Sequence, residues 1–451
     1  MHTRDTGPPP IAMMTVRHHE SPGRMVRPVP WFPAVAMALS LLLAALGGLS
    51  LGVLAATQSG TAGSRWAATV QAHADIQLWG WFAVFIAALV FEFIVRLNAR
   101  PPVAIAPRVV VLLLFAGGAI ASATGRSLGA QGHALVTGGA MLGLVGSLLL
   151  LLIVLRIPPG RPLRVDLHPL FFRTGAAWLL VAGTAGLAAS MRLSTGVASF
   201  DESQVVAEFV IRGFVLNVTI AVALRAFPGH LGLPPVHVSR QRILWGLLNG
   251  SILLWAAGSS GFGMPGFEAL QSAGNLLFAA ALVLATGSLR IHLVFRSWRH
   301  HPDRAQLLVP LSWCGLIVFT VVVAIQAIAR LAGMAEYTAI EVGAARHILM
   351  LGFVAPFLIA MSHVVLQRFV TGRLLGEAWL TGAFVLLILA WPLRVAPPLL
   401  DDALGEVTQT LMGLAGVMTS AALVLAAIVA GANALAAVRH ERRLRELRRL
   451  Q

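Results

Sequence analysis

The sequence predicts an all-α, polytopic transmembrane helix bundle of about twelve spans with both termini cytoplasmic. Three observations carry that prediction. The 451-residue chain is 57% hydrophobic and only 11% charged, where soluble globular chains are about one quarter charged. Its mean hydropathy is +0.82, and its apolar runs last about 20 residues instead of alternating with period 2, which is the helical and not the β-barrel way of crossing a bilayer. Finally, its arginines fall in alternate interruptions between those runs.

The runs lie near 32–57, 75–97, 105–123, 132–155, 172–191, 204–226, 241–262, 270–295, 307–332, 340–368, 376–394 and 408–438, each able to cross a hydrocarbon core about 30 Å thick. Interruptions such as "RLNARPPVAIAPR", "RIPPGRPLRVDLHP" and "FPGHLGLPPVHVSRQR" are rich in Pro, Gly and Arg. The formal charge of +15 comes from 33 arginines and no lysine. Twenty-six of them lie in the two tails and every second interruption, and only Arg65, Arg126, Arg192, Arg330 and Arg394 lie on the other side. That unbroken alternation predicts an even number of spans with the arginine-rich side cytoplasmic. A nucleic-acid partner would need a polar domain to carry a basic patch, and the chain has none. Cys314 is the single cysteine, so a disulfide framework, a C-x-x-C zinc knuckle and covalent C-x-x-C-H haem attachment are excluded. The first apolar run is long enough to span and stay.

Three regions follow: a disordered cytoplasmic tail over 1–30, one transmembrane domain over 31–438, and a basic cytoplasmic helix over 439–451. The terminal "VRHERRLRELRRLQ" reads either as a contact for anionic lipid or as a solvated positive-inside anchor. A faint internal repeat also runs through the chain. Gly80 and Gly352 each stand 16 residues before an arginine (Arg96, Arg368), and Gly213 opens a similar block, at spacings of 133 and 139 residues. This would fit three related groups of about four spans.

Polar residues inside spans usually pair or bind something, because a charge at the centre of a span costs about 2.5–3.5 kcal/mol. The predicted orientation places His73, His133, Glu208, Arg212, Arg346 and His347 towards the outer side, and Glu92 and His363 towards the cytoplasm. His73, Gln77 and Gly80 share one helix face: a ligand, a hydrogen-bonding neighbour and a gap for a flat ring. Polar side chains in the headgroup layer are the blander account of His73 and Asp75. His347 has Gly352 beside it. His363 lies 16 residues further on, about 24 Å, too far to share a metal with it. Arg346 could pair with Glu208 or Glu341, or hold an anionic group such as a haem propionate. Glu208 and Arg212 are spaced i, i+4, either as a satisfied ion pair or as part of a polar path. His133 is a possible second ligand or a helix-end residue. The His pairs of "RHHPDR" and "RHHE" read as loop.

Three blocks together resemble the NnrS family: "AHADIQLWGWFAVFIAALVFEFIVRL", "GFVLNVTIAVALRAFPGHLGLPP" and "ARHILMLGFVAPFLIAMSHVVLQRF". Its members are bacterial polytopic membrane proteins of about twelve spans, tied to the nitric oxide response of denitrifying organisms and thought to carry haem and copper. Matched positions are His73, Gln77, Gly80, Trp81, Arg96, Arg225, Pro228, Arg346, His347, Gly352 and His363. Two positions depart: Glu92 stands where the family tends to place His, and Val95 where it tends to place Pro. Arg212 also lies just before Gly213, where a ligand would be expected. The chain is thus similar to a divergent member, and the missing His bears on copper more than on haem. His73 on the second span and His347 on the tenth also resemble haem-copper oxidase subunit I, whose ligands come from those spans. The adjacent ligands of its tenth span and its copper His pair are absent, so an oxidase is not expected.

Two functions follow as expectations. One is a haem protein of the bacterial inner membrane, with His73 and His347 as axial ligands, engaged with nitric oxide or another small gas. Within it Gln77, Gly80, Arg346 and Gly352 would line the cofactor, and His133 and His363 are further candidate metal ligands. The other is a transporter for a small solute or ion, using Glu208 and Arg212. Neither requires an enzyme.

Overall fold

The computed structural model describes residues 30–57, 64–160, 166–193, 197–260, 266–297, 307–334, 339–371, 374–399 and 407–450. Residues 1–29 of the tail expected over 1–30, the "RHHPDR" loop, Asp401 and Asp402 lie outside them. The described residues form helices and no strand: α1 (31–57), α2 (64–97), α3 (Ile105–Ser127), α4 (His133–Arg156), α5 (His168–Met191), α6 (Phe200–His230), α7 (Val238–Ser260), α8 (Phe267–Leu289), the short α9 (His292–Ser297), α10 (Leu308–Leu331), α11 (339–371), α12 (Glu377–Leu399) and α13 (Val407–Leu450). Eleven of these are long and apolar enough to cross a membrane. The chain is a multi-pass helical membrane protein.

The remaining long helix, α7, serves as a tie. Its Asn249 accepts from Trp178 Nε1–H of α5 at 2.8 Å and exchanges hydrogen bonds with Asn217 of α6 at 3.3 Å. Inside a bundle such bonds replace the hydration these amides give up. The 44-residue α13 would reach about 66 Å at 1.5 Å per residue, over twice the hydrocarbon thickness, so its arginine-rich end continues as helix beyond the span.

Three spans are enclosed by the rest. In their most apolar stretches α2 is 94% buried, α6 83% and α11 100%, against 33–56% for the others. Each of the three contains a turn widened to π-helical bonding, over 76–83, 209–215 and 350–354, and these hold Gly80, Gly213 and Gly352 in that order. Each glycine lets a neighbour come close. A methyl group there would fall 2.8 Å from Leu43, 2.5 Å from Trp178 and 2.6 Å from Trp391, respectively. At Gly315 of α10 it would sit 1.9 Å from the Gly352 carbonyl, so these two backbones touch. Close approach of this kind holds spans together where lipid supplies no hydrophobic drive.

The second span begins eleven residues before its expected start at 75. The leading "SRWAATVQAHAD" looks too polar to enter a bundle, yet Gln71 and Ala72 are buried in it. His73 therefore stands well inside a helix instead of at its mouth.

Candidate functional site

Four polar groups on α2 raised the question of what a buried helix does with them, and they have three different answers. Asp75 is 2.5 Å from Arg126 of α3, whose Nη1 also donates to Gln71 Oε1 at 2.5 Å. Glu92 is held by Arg96 at 3.1 Å and by Arg108 at 2.8 Å. Arg108 is itself wholly buried, 4.6 Å above the Phe32 ring. A carboxylate between two guanidiniums is a closed charge group, and Glu92 does not stand in for a metal-binding imidazole there. Gln77 is different: its amide is buried and neither of its polar atoms has a hydrogen-bond partner among the described residues. Such an orphan costs about 1–3 kcal/mol unless something else satisfies it.

His73 provides the third answer. The preceding helix α1 is widened over 43–49, through the Gly47–Gly48 pair. The Gly48 carbonyl lies 2.5 Å from His73 Nδ1, and the imidazole packs against Gly52, where a methyl would come 2.8 Å from its Cε1. A carbonyl can only accept, so Nδ1 carries the proton and Nε2 keeps its lone pair. His347 on α11 repeats this chemistry, with its Nδ1 donating to the Gly343 carbonyl at 2.7 Å. An Nδ1–H given to a backbone carbonyl is the usual outer support of a metal-binding imidazole. The two partly buried rings lie within electrostatic reach of each other, and both feel the guanidinium of Arg394 on α12.

The other sequence candidates do not join this pair. His133 turns its Nε2 to the Ser190 carbonyl at 3.0 Å, tying α4 to α5. His363 is buried at the far end of α11 from His347. Gly80 and Gly352 receive Leu43 and Trp391. Glu208 is 2.5 Å from Arg212 and 2.9 Å from Arg346. Arg212 also donates to Asn275 Oδ1 at 2.7 Å, lies 4.4 Å above the Phe278 ring, and Arg346 reaches Gln204 as well.

Sequence reasoning missed five participants: Gly48, Gly52, Gln71, Gln204 and Arg394. The glutamines did leave a signal. Gln71, Asp75 and Gly80 share the spacing Gln-x3-acid-x4-Gly with Gln204, Glu208 and Gly213. In both copies the glutamine and the acid clamp one arginine from another helix, Arg126 in the first and Arg346 in the second. At the same spacing from Gly352, α11 carries Gly343 and His347. There the glutamine gives way to a bare carbonyl and the acid to an imidazole, and the two bond to each other.

No family model matches the chain, and no curated protein matches it. A solved structure does: a cryo-EM structure of a haem-copper terminal oxidase dimer, with a TM-score of 0.66 and 12% sequence identity, covering 91% of this chain and 85% of that one. The protein therefore has the fold of a polytopic membrane protein of that architecture, and at this identity the likeness is one of fold.

The donors can be tested against the groups such a fold brings to mind. Two imidazoles whose Nε2 atoms are free, with an orphaned buried amide one turn from the first, fit a haem held by two histidines. Copper fits less well: no three His, Cys, Asp or Glu side chains converge among the described residues.

Proposed function

We propose that this chain is an NnrS-like haem protein of the bacterial cytoplasmic membrane, engaged in the response to nitric oxide, with His73 and His347 as its axial ligands. The observation that carries the reading is the matched pair of Nδ1–carbonyl bonds, which leaves a free Nε2 on one imidazole of each of two enclosed spans. The resemblance of the three sequence blocks supports this family, and the fold likeness is compatible with it. Bound haem would supply one-electron chemistry and affinity for small gases. The chain's own residues do the rest. Gly48 and Gly343 fix both tautomers, Gly52 leaves room for the His73 ring, and the buried amide of Gln77 can donate to the group. The packing of α2 and α11 excludes water.

The transport reading would use Glu208, Arg212 and Arg346. Their arrangement supports a brace, because the carboxylate is bonded to two guanidiniums at once.

Purified protein is expected to be red, with a Soret band that disappears in His73→Ala and in His347→Ala. A colourless preparation that still folds, and that a small solute stabilises against heat, would replace this reading with transport.

A further inference from the structure

The internal repeat isolates one arginine. In α2 the carboxylate five residues before the glycine neutralises Arg126 on the following span, α3. In α6 the corresponding carboxylate bonds Arg346 as well as Arg212. In α11 that position is His347, which carries no negative charge, and the following span, α12, carries Arg394. Its register against α11 is set by Trp391, whose ring lies on Gly352. Arg394 stands one turn beyond Trp391, on the side to which α11 carries His347 five residues from Gly352. Among the described residues Arg394 makes no hydrogen bond and no ion pair, although it is partly buried within a span. A guanidinium left unmatched inside a membrane protein is costly and marks a binding function more often than a structural one. Its charge acts on both His73 and His347.

We infer that Arg394 is the anchor of an anion site beside the two imidazoles, and that the missing carboxylate comes from a ligand. The shared chemistry is a carboxylate or a small inorganic anion received by the guanidinium fork. It has two possible sources: a carboxylate side chain of a porphyrin held by His73 and His347, which rests on the function proposed above, or a free anion, which does not.

The test uses the full-length chain in detergent, as wild type, Arg394→Gln and Arg394→Lys. Iron protoporphyrin and its dimethyl ester are titrated into each, and melting temperature is followed in parallel with sodium acetate and sodium chloride in place of a bulky organic anion. If the porphyrin is the source, wild type should prefer the free acid over the ester by about tenfold or more, as a charge-assisted hydrogen bond implies. Arg394→Gln should bind both alike, and Arg394→Lys should fall between. If the source is a free anion, wild type should bind acid and ester alike and should be stabilised by acetate or chloride, and Arg394→Gln should not. This second arm needs no haem, so it still decides if no porphyrin binds at all. The proposal is overturned if wild type and a folded Arg394→Gln respond alike in both arms. It is also overturned if Asp401→Asn with Asp402→Asn reproduces the Arg394→Gln behaviour, because the partner would then belong to this chain. Should Arg394→Gln fail to fold, the comparison of wild type with Arg394→Lys decides in the same way.

Discussion

At one end of the bundle, α2 and α6 do the same thing and α11 does another. The first two use Gln-x3-acid-x4-Gly to clamp an arginine across helices. The third keeps the glycine and the widened turn but replaces the clamp with Gly343 and His347. A buried ion pair holds elements in register, but it occupies all the groups that make it. Replacing its acid with an imidazole whose Nδ1 is tied to a carbonyl gives up the brace and frees a nitrogen lone pair. The difference between these regions is one between groups satisfied within the chain and groups left open for something else.

If that contrast is right, the largest loss of stability should follow Glu208→Gln. It leaves both Arg212 and Arg346 without their carboxylate, an expected cost of about 3–5 kcal/mol by thermal or denaturant unfolding in detergent. Asp75→Asn should cost less, about 1–3 kcal/mol, because only Arg126 depends on it and Gln71 remains as a partner. An Asp75→Asn effect larger than that of Glu208→Gln would break the ranking. Neither change should remove haem absorbance from protein that folds. Gly52→Ala acts on the open side. Its methyl must displace the His73 ring, so haem content should fall severalfold while stability changes by only about 1–2 kcal/mol.

The smallest effect belongs to the opposite end of the bundle, where Asp166 precedes α5. Burial pushes its carboxyl up, but the hydrogen bonds and charge of His168, 2.8 Å away, and the charge of Arg225 outweigh this and hold it below its ordinary 3.8. A carboxyl whose folded value is depressed stabilises the fold above its unfolded value, and that contribution is lost as pH falls through the lower, folded one. Asp166→Asn should therefore flatten the acid side of the stability profile, costing about 1 kcal/mol or less at neutral pH.

Much of the fold was legible because hydrophobic run length and arginine alternation both report on the bilayer. The twelve long helices fall close to the expected spans, α7 included. The early start of α2 was not legible, since Gln71 and Asp75 are matched by Arg126 and by the Ala198 backbone, and such pairing leaves no trace in hydropathy. His73 and His347 were visible as residue types at a common depth, and the family likeness singled them out. What orients them was not visible. Gly48 and Gly52 matter through how closely α1 approaches α2, and Arg394 through having no partner among the described residues. The sequence counted Arg394 among the arginines of the outer side, whereas it lies within α12. The departure at Glu92 was legible, but its meaning required Arg108, which is buried instead of marking a loop.

The most direct test of the central claim is the electron paramagnetic resonance spectrum of the oxidised, purified protein, read with its iron content. The account predicts one low-spin iron per chain with the signature of two imidazole ligands. That signal should vanish in His73→Ala and in His347→Ala and persist in His133→Ala and His363→Ala. A signal indifferent to His73 and His347, or a folded wild-type chain that holds no iron, would contradict it.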